Sequence, residues 1–370
     1  MAQIEPQTFH ALLFISLFAC LPSLCSCHDN GTKIQGMFVF GSSLVDNGNN
    51  NQLRDAIAKA DYLPYGIDFP GGATGRFTNG KNVIDLLGQH LQLPAYIPPF
   101  THPSTRGANI VHGVNYASGG SGILDDTGAV LGNVICLNKQ VENFEHVTLP
   151  ELEQQLDNKA QQILQNYLFV VSSGGNDYSF NYFLALPTAN LTLQAFTSHL
   201  TTTLSHQLKR LYKLGARKFV LMSINPNGCS PSAKARNPRR SGCIQYVNRA
   251  NHLFNHKLRT LVDAILPQMP ASNLVFVNAY KVIRDIIKNP ASNGFVDASN
   301  GCCEVPSIDE GGNGILCKKG GSICANRSNH VFFDGLHPTE AVNAVIARKA
   351  YTSIRKTEVY PMNVKQLSQI

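Results

Sequence analysis

Met37-Phe38-Val39-Phe40-Gly41-Ser42-Ser43-Leu44-Val45-Asp46-Asn47-Gly48-Asn49-Asn50-Asn51 changes character in its middle. An apolar run stops at a glycine and two serines, and an Asn/Gly/Asp segment follows. Apolar residues with so abrupt a polar end predict a buried parallel strand that delivers its carboxyl end to a surface crevice. In open α/β sheets that crevice is where ligands bind. A serine placed there becomes a nucleophile only if a base takes its proton. Asp334-Gly335-Leu336-His337-Pro338, near the other end of the chain, offers one. Neither stretch means much alone; together they point to serine hydrolysis.

Working outward, the design repeats. Tyr167 to Ser173 is strongly apolar and ends in Gly174-Gly175-Asn176-Asp177; Lys218 to Ile224 and Leu274 to Val277 read as further strands. Asn109 to Ala117 reads as another, running into Ser118-Gly119-Gly120-Ser121-Gly122, a cluster suited to a backbone donor, a phosphate cradle or a plain tight turn. Between them lie helical spacings. Lys81 to Leu93 carries Val83, Ile84, Leu87 and Leu91, and Leu137 to Gln165 is helical with a break near Leu149-Pro150. Leu193 to Leu214 and Ile244 to Leu266 follow, and a last helix opens at Pro338 with Ala341, Val342, Val345 and Ile346 on one face. Strands alternating with helices predict an α/β fold, a parallel sheet covered on both faces. The pieces Tyr62 to Pro70 and Gly75 to Gly80 read as loops over the sheet edge. No internal repeat or linker divides the chain.

Ester or amide hydrolysis by serine needs a base, a group that orients the base, and donors where negative charge develops. His337 is the candidate base and Asp334 its orienter, because three residues within one turn put both side chains on one side of the backbone. The plainer alternative has Asp334 capping local amides and His337 at the surface. The Gly-x-Ser-x-Gly elbow is absent, since Gly41-Ser42-Ser43-Leu44-Val45 lacks the second glycine. His252 and His256 have the spacing of a helical metal pair, but Leu253 follows where a metalloprotease has glutamate, and no third ligand is evident. They read as a solvated helix face.

The apolar run Ala11 to Leu24, ahead of Cys25-Ser26-Cys27, predicts a secretory signal over residues 1–27 and one domain over 28–370. Residues 1–10 carry no Lys or Arg, so a membrane anchor is the alternative. No later stretch approaches spanning length. The net charge of +7 is modest, and its visible cluster, Lys234 to Arg240, reads as a solvated loop rather than a site for an anionic surface such as a cell-wall polymer; no nucleic-acid partner is expected. Of ten cysteines, Cys20, Cys25 and Cys27 lie in or beside the signal. Cys229 and Cys243 flank one loop and suit a bridge. Cys302 and Cys303 precede Cys317 and Cys324, so nested and crossed pairings both remain open. Cys136 reads as a buried free thiol. Asn30, Asn190 and Asn326 head glycan acceptor triplets, which fit an oxidising, secretory route.

Four blocks occur in order: Phe40-Gly-Ser-Ser-Leu-Val-Asp-Asn-Gly-Asn49, Asn115-Tyr-Ala-Ser-Gly-Gly-Ser-Gly122, Gly174-Gly-Asn-Asp177 and Asp334-Gly-Leu-His337. With Gly75 to Lys81 and Gly301-Cys302-Cys303, they make the chain resemble a plant-type GDSL esterase/lipase of the SGNH hydrolase superfamily, from Phe38 to about Ala344. The resemblance implies a three-layer α/β/α sandwich around a mainly five-stranded parallel, flavodoxin-like sheet. It implies Ser43 as nucleophile with Asp334 and His337. The oxyanion donors would be the N–H groups of Ser43 and Gly120 and the Asn176 side chain. No cofactor or metal is expected, only a small-molecule or polymer ester substrate, met outside the cell, in the wall or apoplast. One position departs from the pattern: Ser42 stands where the family has aspartate. That departure motivates a second reading, a catalytically weak, hydrolase-like binding protein. A peptidase or amidase is a third, because the same triad cleaves amides.

Overall fold

A computed structural model describes residues 1–3, 34–184, 191–236 and 242–370. Residues 4–27 of the expected signal segment, with Cys20, Cys25 and Cys27, and also Asn30, Asn190 and the end of the basic loop, lie outside the described residues.

Gly36–Gly41 forms β1, buried along its whole length, as the opening run predicts. It pairs in parallel with β2, Tyr167–Ser172, which pairs with β3, Lys218–Met222, and that with β4, Asn273–Val277. Asp297–Gly301 and His330–Phe332, β5 and β6, make a separate parallel ribbon. Val359–Tyr360, β7, runs antiparallel along β4 and completes the main sheet in the order β1-β2-β3-β4-β7.

Strand residues alternate between two cores because successive side chains point to opposite faces. Phe38, Phe40, Phe169, Val171, Phe219 and Phe276 face one side, against the helices that begin at Leu137, Leu193 and Gln245. Met37, Val39, Val170, Val220 and Val275 face the other, against helices Val83–His90, Ala279–Lys288 and Glu340–Thr352. These are the three α/β/α layers. A smaller cluster under the loops joins Ala58, Tyr65, Phe77, Leu316 and Phe333 to three half-cystines.

Three local expectations are corrected. Residues 109–117 do not form a strand: the segment runs beside β1 and bonds to it through His112, Val114 and Tyr116, but only the Val39–Asn115 bridge is regular. Its start is taken up by a 3-10 turn, Gly107–Ile110, and its far side meets Pro98-Pro99, whose nitrogens donate nothing. The last helix begins at Glu340, not Pro338, because Pro338 is held in a bridge to Phe332 and Thr339 bonds back to Val331 and His330. The helical stretch from Leu137 passes Leu149-Pro150 through a π turn, with Pro150 in the first turn of Leu149–Gln155, where a missing N–H goes unnoticed. It breaks instead at Asp157 and Asn158, both left-handed.

Candidate active site

Three loops are tied into one platform. At the exit of β1 the chain must turn against β2: Gly41 takes φ 148°, and a Cβ there would lie 2.2 Å from the Ser172 carbonyl oxygen. The Ser42 N–H donates to that carbonyl (3.1 Å), and the Val45 N–H closes a turn onto the Ser42 oxygen, which leaves Ser43 at the tip. The Asp46 carboxylate then accepts from the N–H groups of Gly48, Asn49 and Gly119 at 2.7, 2.8 and 2.9 Å. Burial pushes the Asp46 carboxyl up to about 6 against these donors. Asn49 and Asn50 donate to the carbonyls of Asn115, Ala117 and Gly119, fastening the glycine cluster to the Asn-rich block. The loop after β2 joins through Asn176 Nδ2, 2.8 Å from the Ser121 carbonyl, and through Asp177, which accepts from the N–H groups of Ile123 and Leu124 and from the Thr127 hydroxyl.

The fourth loop leaves β6 and carries the distant pair. Asp334 Oδ1 accepts from the N–H groups of Leu336 (2.8 Å) and His337 (2.7 Å), and Oδ2 lies 2.7 Å from His337 Nδ1. Local capping and a carboxylate–imidazole pair, alternatives on the sequence, are thus two oxygens of one side chain. His337 Nε2 lies 2.7 Å from Ser43 Oγ across 294 positions of sequence. Asp334 and His337 are buried, and the Phe77 ring packs 5.0 Å from the imidazole.

Ser43, Gly120, Asn176 and His337 line one cavity of about 260 Å³, whose other walls include Ile57, Leu131, Phe180, Ile315 and Leu336. Gly120 takes φ 86°, and a Cβ would approach Leu131 to 2.8 Å, so the position demands glycine. Among the described residues the N–H groups of Ser43 and Gly120 have no protein acceptor, and Asn176 Nδ2 has given one proton to Ser121. Ser42 lines an adjoining cavity of about 30 Å³ with Ser172, Ser173, Ser223, Asn225 and Asn227, which shares Ser43, Asn176 and Leu336 with the larger one, and the Ser42 hydroxyl bonds to neither Asp334 nor His337.

Cys229–Cys243 is a disulfide, and Cys302–Cys324 with Cys303–Cys317 settles the open choice as nested. Cys136 is free, as expected, but half-buried rather than buried, its thiol pushed up to about 11 by burial. Asn326 is exposed, and His252 and His256 stand on an exposed helix face. Two participants escaped sequence reading. Tyr65, in a stretch read only as an aromatic turn, donates its O–H to Asp334 Oδ2 at 2.6 Å. Gln140 clasps Gly41 from both ends, accepting its N–H at 2.7 Å and donating to its carbonyl at 2.9 Å. Neither partner is near in sequence, so no spacing announces it.

A serine hydroxyl, an imidazole and a carboxylate in a chain of two short hydrogen bonds can move a proton off oxygen, and a mainly parallel sheet with its loops gathered at one end is the scaffold of a hydrolytic enzyme. The GDSL-like lipase/acylhydrolase family model matches residues 37–350, and the chain belongs to that family. Among its relatives in Arabidopsis thaliana, GDSL esterase/lipase At1g29670 is 41% identical over 91% of this chain and 92% of its own length. GDSL esterase/lipase At1g29660 is 40% identical over 90% and 91%, and GDSL esterase/lipase At5g08460 is 41% identical over 98% and 96%. The chain is accordingly a carboxylic ester hydrolase.

Proposed function

We propose that this enzyme cleaves esters of aliphatic acids through an acyl-enzyme, with Ser43 as nucleophile, His337 as general base and then acid, and Asp334 as the group that orients and stabilises the imidazolium. The observation that carries the reading is the unbroken chain Ser43 Oγ to His337 Nε2 to His337 Nδ1 to Asp334 Oδ2, 2.7 Å at each hydrogen bond. Ser43 attacks the ester carbonyl while its proton passes to His337. The oxyanion takes hydrogen bonds from the N–H groups of Ser43 and Gly120 and the second amide proton of Asn176, in a pocket where preorganised donors count for most. His337 then protonates the departing alcohol, and water, deprotonated by the same imidazole, releases the acid. With Ser42 in place of aspartate, the hydrogen bonds from Ser43 to His337 and from His337 to Asp334 are both present.

The cavity beside Ser43 is walled by Ile57, Leu131, Phe180, Ile315 and Leu336, which suits an alkyl acyl group better than an acetyl group or a peptide. Three disulfides and the exposed acceptor Asn326 support a secreted, glycosylated protein, with residues 1–27 removed, 28–370 as one domain, and Asn30 and Asn190 as further acceptors. Among the described residues no helix is long and apolar enough to cross a membrane.

A fluorophosphonate probe should label the wild type at Ser43, and Ser43→Ala should lose both labelling and turnover of p-nitrophenyl esters. Labelling that persists in Ser43→Ala rejects the nucleophile. Across acyl chains of two to twelve carbons, kcat/KM should rise beyond acetate, and Leu131→Trp should move the optimum toward shorter chains. A profile highest at acetate and unmoved by Leu131→Trp rejects the acyl assignment.

A further inference from the structure

We infer that Tyr65 is a positioning residue for the hydrolytic reaction: its phenol fixes the Asp334 carboxylate and tempers the basicity of His337. The inference rests on the Ser43–His337–Asp334 reading given above.

A buried carboxylate offers about four acceptor sites, and each left empty in an apolar surround is expensive. Asp334 fills all of its own. Oδ1 takes the two amides of its own loop, and Oδ2 takes His337 Nδ1 and the Tyr65 O–H. The imidazole and the phenol therefore share one oxygen. Electron density that the phenol draws from Oδ2 is density that no longer stabilises the imidazolium, so Tyr65 lowers the proton affinity of His337 while holding the carboxylate in plane.

Much of the surrounding structure is devoted to aiming that phenol. The ring is fully buried and packs edge-on against Phe333, the residue before Asp334, at 5.6 Å, and against Phe77 at 6.0 Å. Phe77 in turn lies on the His337 ring. The backbone N–H of Cys317, a half-cystine of the Cys303–Cys317 bridge, donates to the Tyr65 oxygen at 3.1 Å. With its acceptor side so occupied, the phenol has its proton directed at Asp334. Burial first, and then the Asp334 charge, hold the Tyr65 phenol well above its ordinary range. A second phenol and a guanidinium stand nearby. Tyr62, whose O–H donates to the Cys317 carbonyl at 2.8 Å, is pushed up to about 12 by burial and then by the Asp334 charge, and Arg236 lines the far side of the cavity.

The test is the acidic limb of the kcat/KM profile, which reports ionisation of the base in the free enzyme. Tyr65→Phe should move that limb to higher pH by on the order of half a unit, with kcat at neutral pH roughly tenfold lower and KM within about twofold. Replacing Tyr65 by 3-fluorotyrosine, a stronger donor of nearly the same shape, should move the limb the other way. Tyr62→Phe breaks a hydrogen bond to the same Cys317 without touching Asp334. It should lower the melting temperature and leave the profile in place. If Ser43→Ala abolishes labelling but the limb stays put in both Tyr65 variants, or moves equally in Tyr62→Phe, Tyr65 is only packing and the inference is overturned while the triad stands. If Ser43→Ala is still labelled, the triad and this inference fall together.

Discussion

Asp46 illustrates how much of the site depends on side chains that never meet substrate. Its carboxylate receives the Gly119 N–H, which fixes the backbone beside Gly120, a residue of the cavity wall. Burial lifts the Asp46 carboxyl from 3.8 to about 6, so the folded chain holds this proton more tightly than the unfolded chain does. Its contribution to stability is therefore fully present below about pH 4 and is lost as pH rises through about 6, a swing of roughly 3 kcal/mol. Asp46→Asn cannot titrate. Calorimetry between pH 4 and 6.5 should find wild-type stability declining relative to Asp46→Asn as the pH is raised; a constant difference would remove the shift. The sequence made Ser43, Asp334 and His337 legible as candidates, a serine at the end of an apolar run and an Asp-His pair three residues apart, whereas Gly120 and Asn176 came from the family resemblance. Asp46 lay in the polar segment after Ser43 and still went unread, because what makes it structural is burial, and a polar run looks solvated until something covers it. Tyr65 was hidden for another reason: its partner is 269 positions away.

Among the elements, helix Val83–His90 shows how the sheet's flank is secured. Asn82 caps it, accepting from the N–H groups of Ile84 and Asp85, while Asp85 reaches back to the Asn82 N–H. The same Asp85 carboxylate takes both Arg76 Nε (2.7 Å) and Nη2 (2.8 Å), and the guanidinium lies over the Phe69 ring. Both partners are buried, so removing one strands the other's charge in the interior. Arg76→Ala should reduce unfolding free energy by about 3 to 5 kcal/mol, read from denaturant melts. A loss under about 1 kcal/mol would mean that water reaches Asp85. The helix itself was legible from apolar spacing, and so were β1 to β4, because fully buried strands advertise themselves as apolar runs. Residues 109–117 are less apolar, with Asn109, His112, Gly113 and Asn115 among them, and make only isolated bridges, to Val39 on one side and on the other to Pro99, whose nitrogen has no proton to donate. β7 is two residues long, too short for any period to register.

In the whole molecule, the loops above the sheet are fastened by bonds that cross the chain from end to end. Thr78 Oγ1 donates to the Pro338 carbonyl and Tyr62 to the Cys317 carbonyl, and the nested Cys302–Cys324 and Cys303–Cys317 bridges lie beneath Tyr65. Sequence spacing allowed crossed bridges equally well, since both pairings close loops of similar length and only the path of the chain distinguishes them. The overall layering was legible, because alternation of strand and helix leaves few arrangements that bury both faces of a sheet. The convergence of the four loops was not derivable from spacing; it came from resemblance.

The margin of the sheet at β4 has its own consequence. Phe276 and Val277 are covered on their outer side by a mere two residues, Val359 and Tyr360, supplied from within twelve positions of the carboxyl terminus. A chain shortened after Lys356 would keep Ser43, Asp334 and His337, yet bare a row of unsatisfied amides and carbonyls beside apolar side chains, an open template for a neighbouring molecule's strand. Such a product should elute as concentration-dependent oligomers in size-exclusion chromatography, whereas restoring residues 357–370 should return the original elution volume. The tail, remote from any chemistry, would then be serving as a guard against self-association.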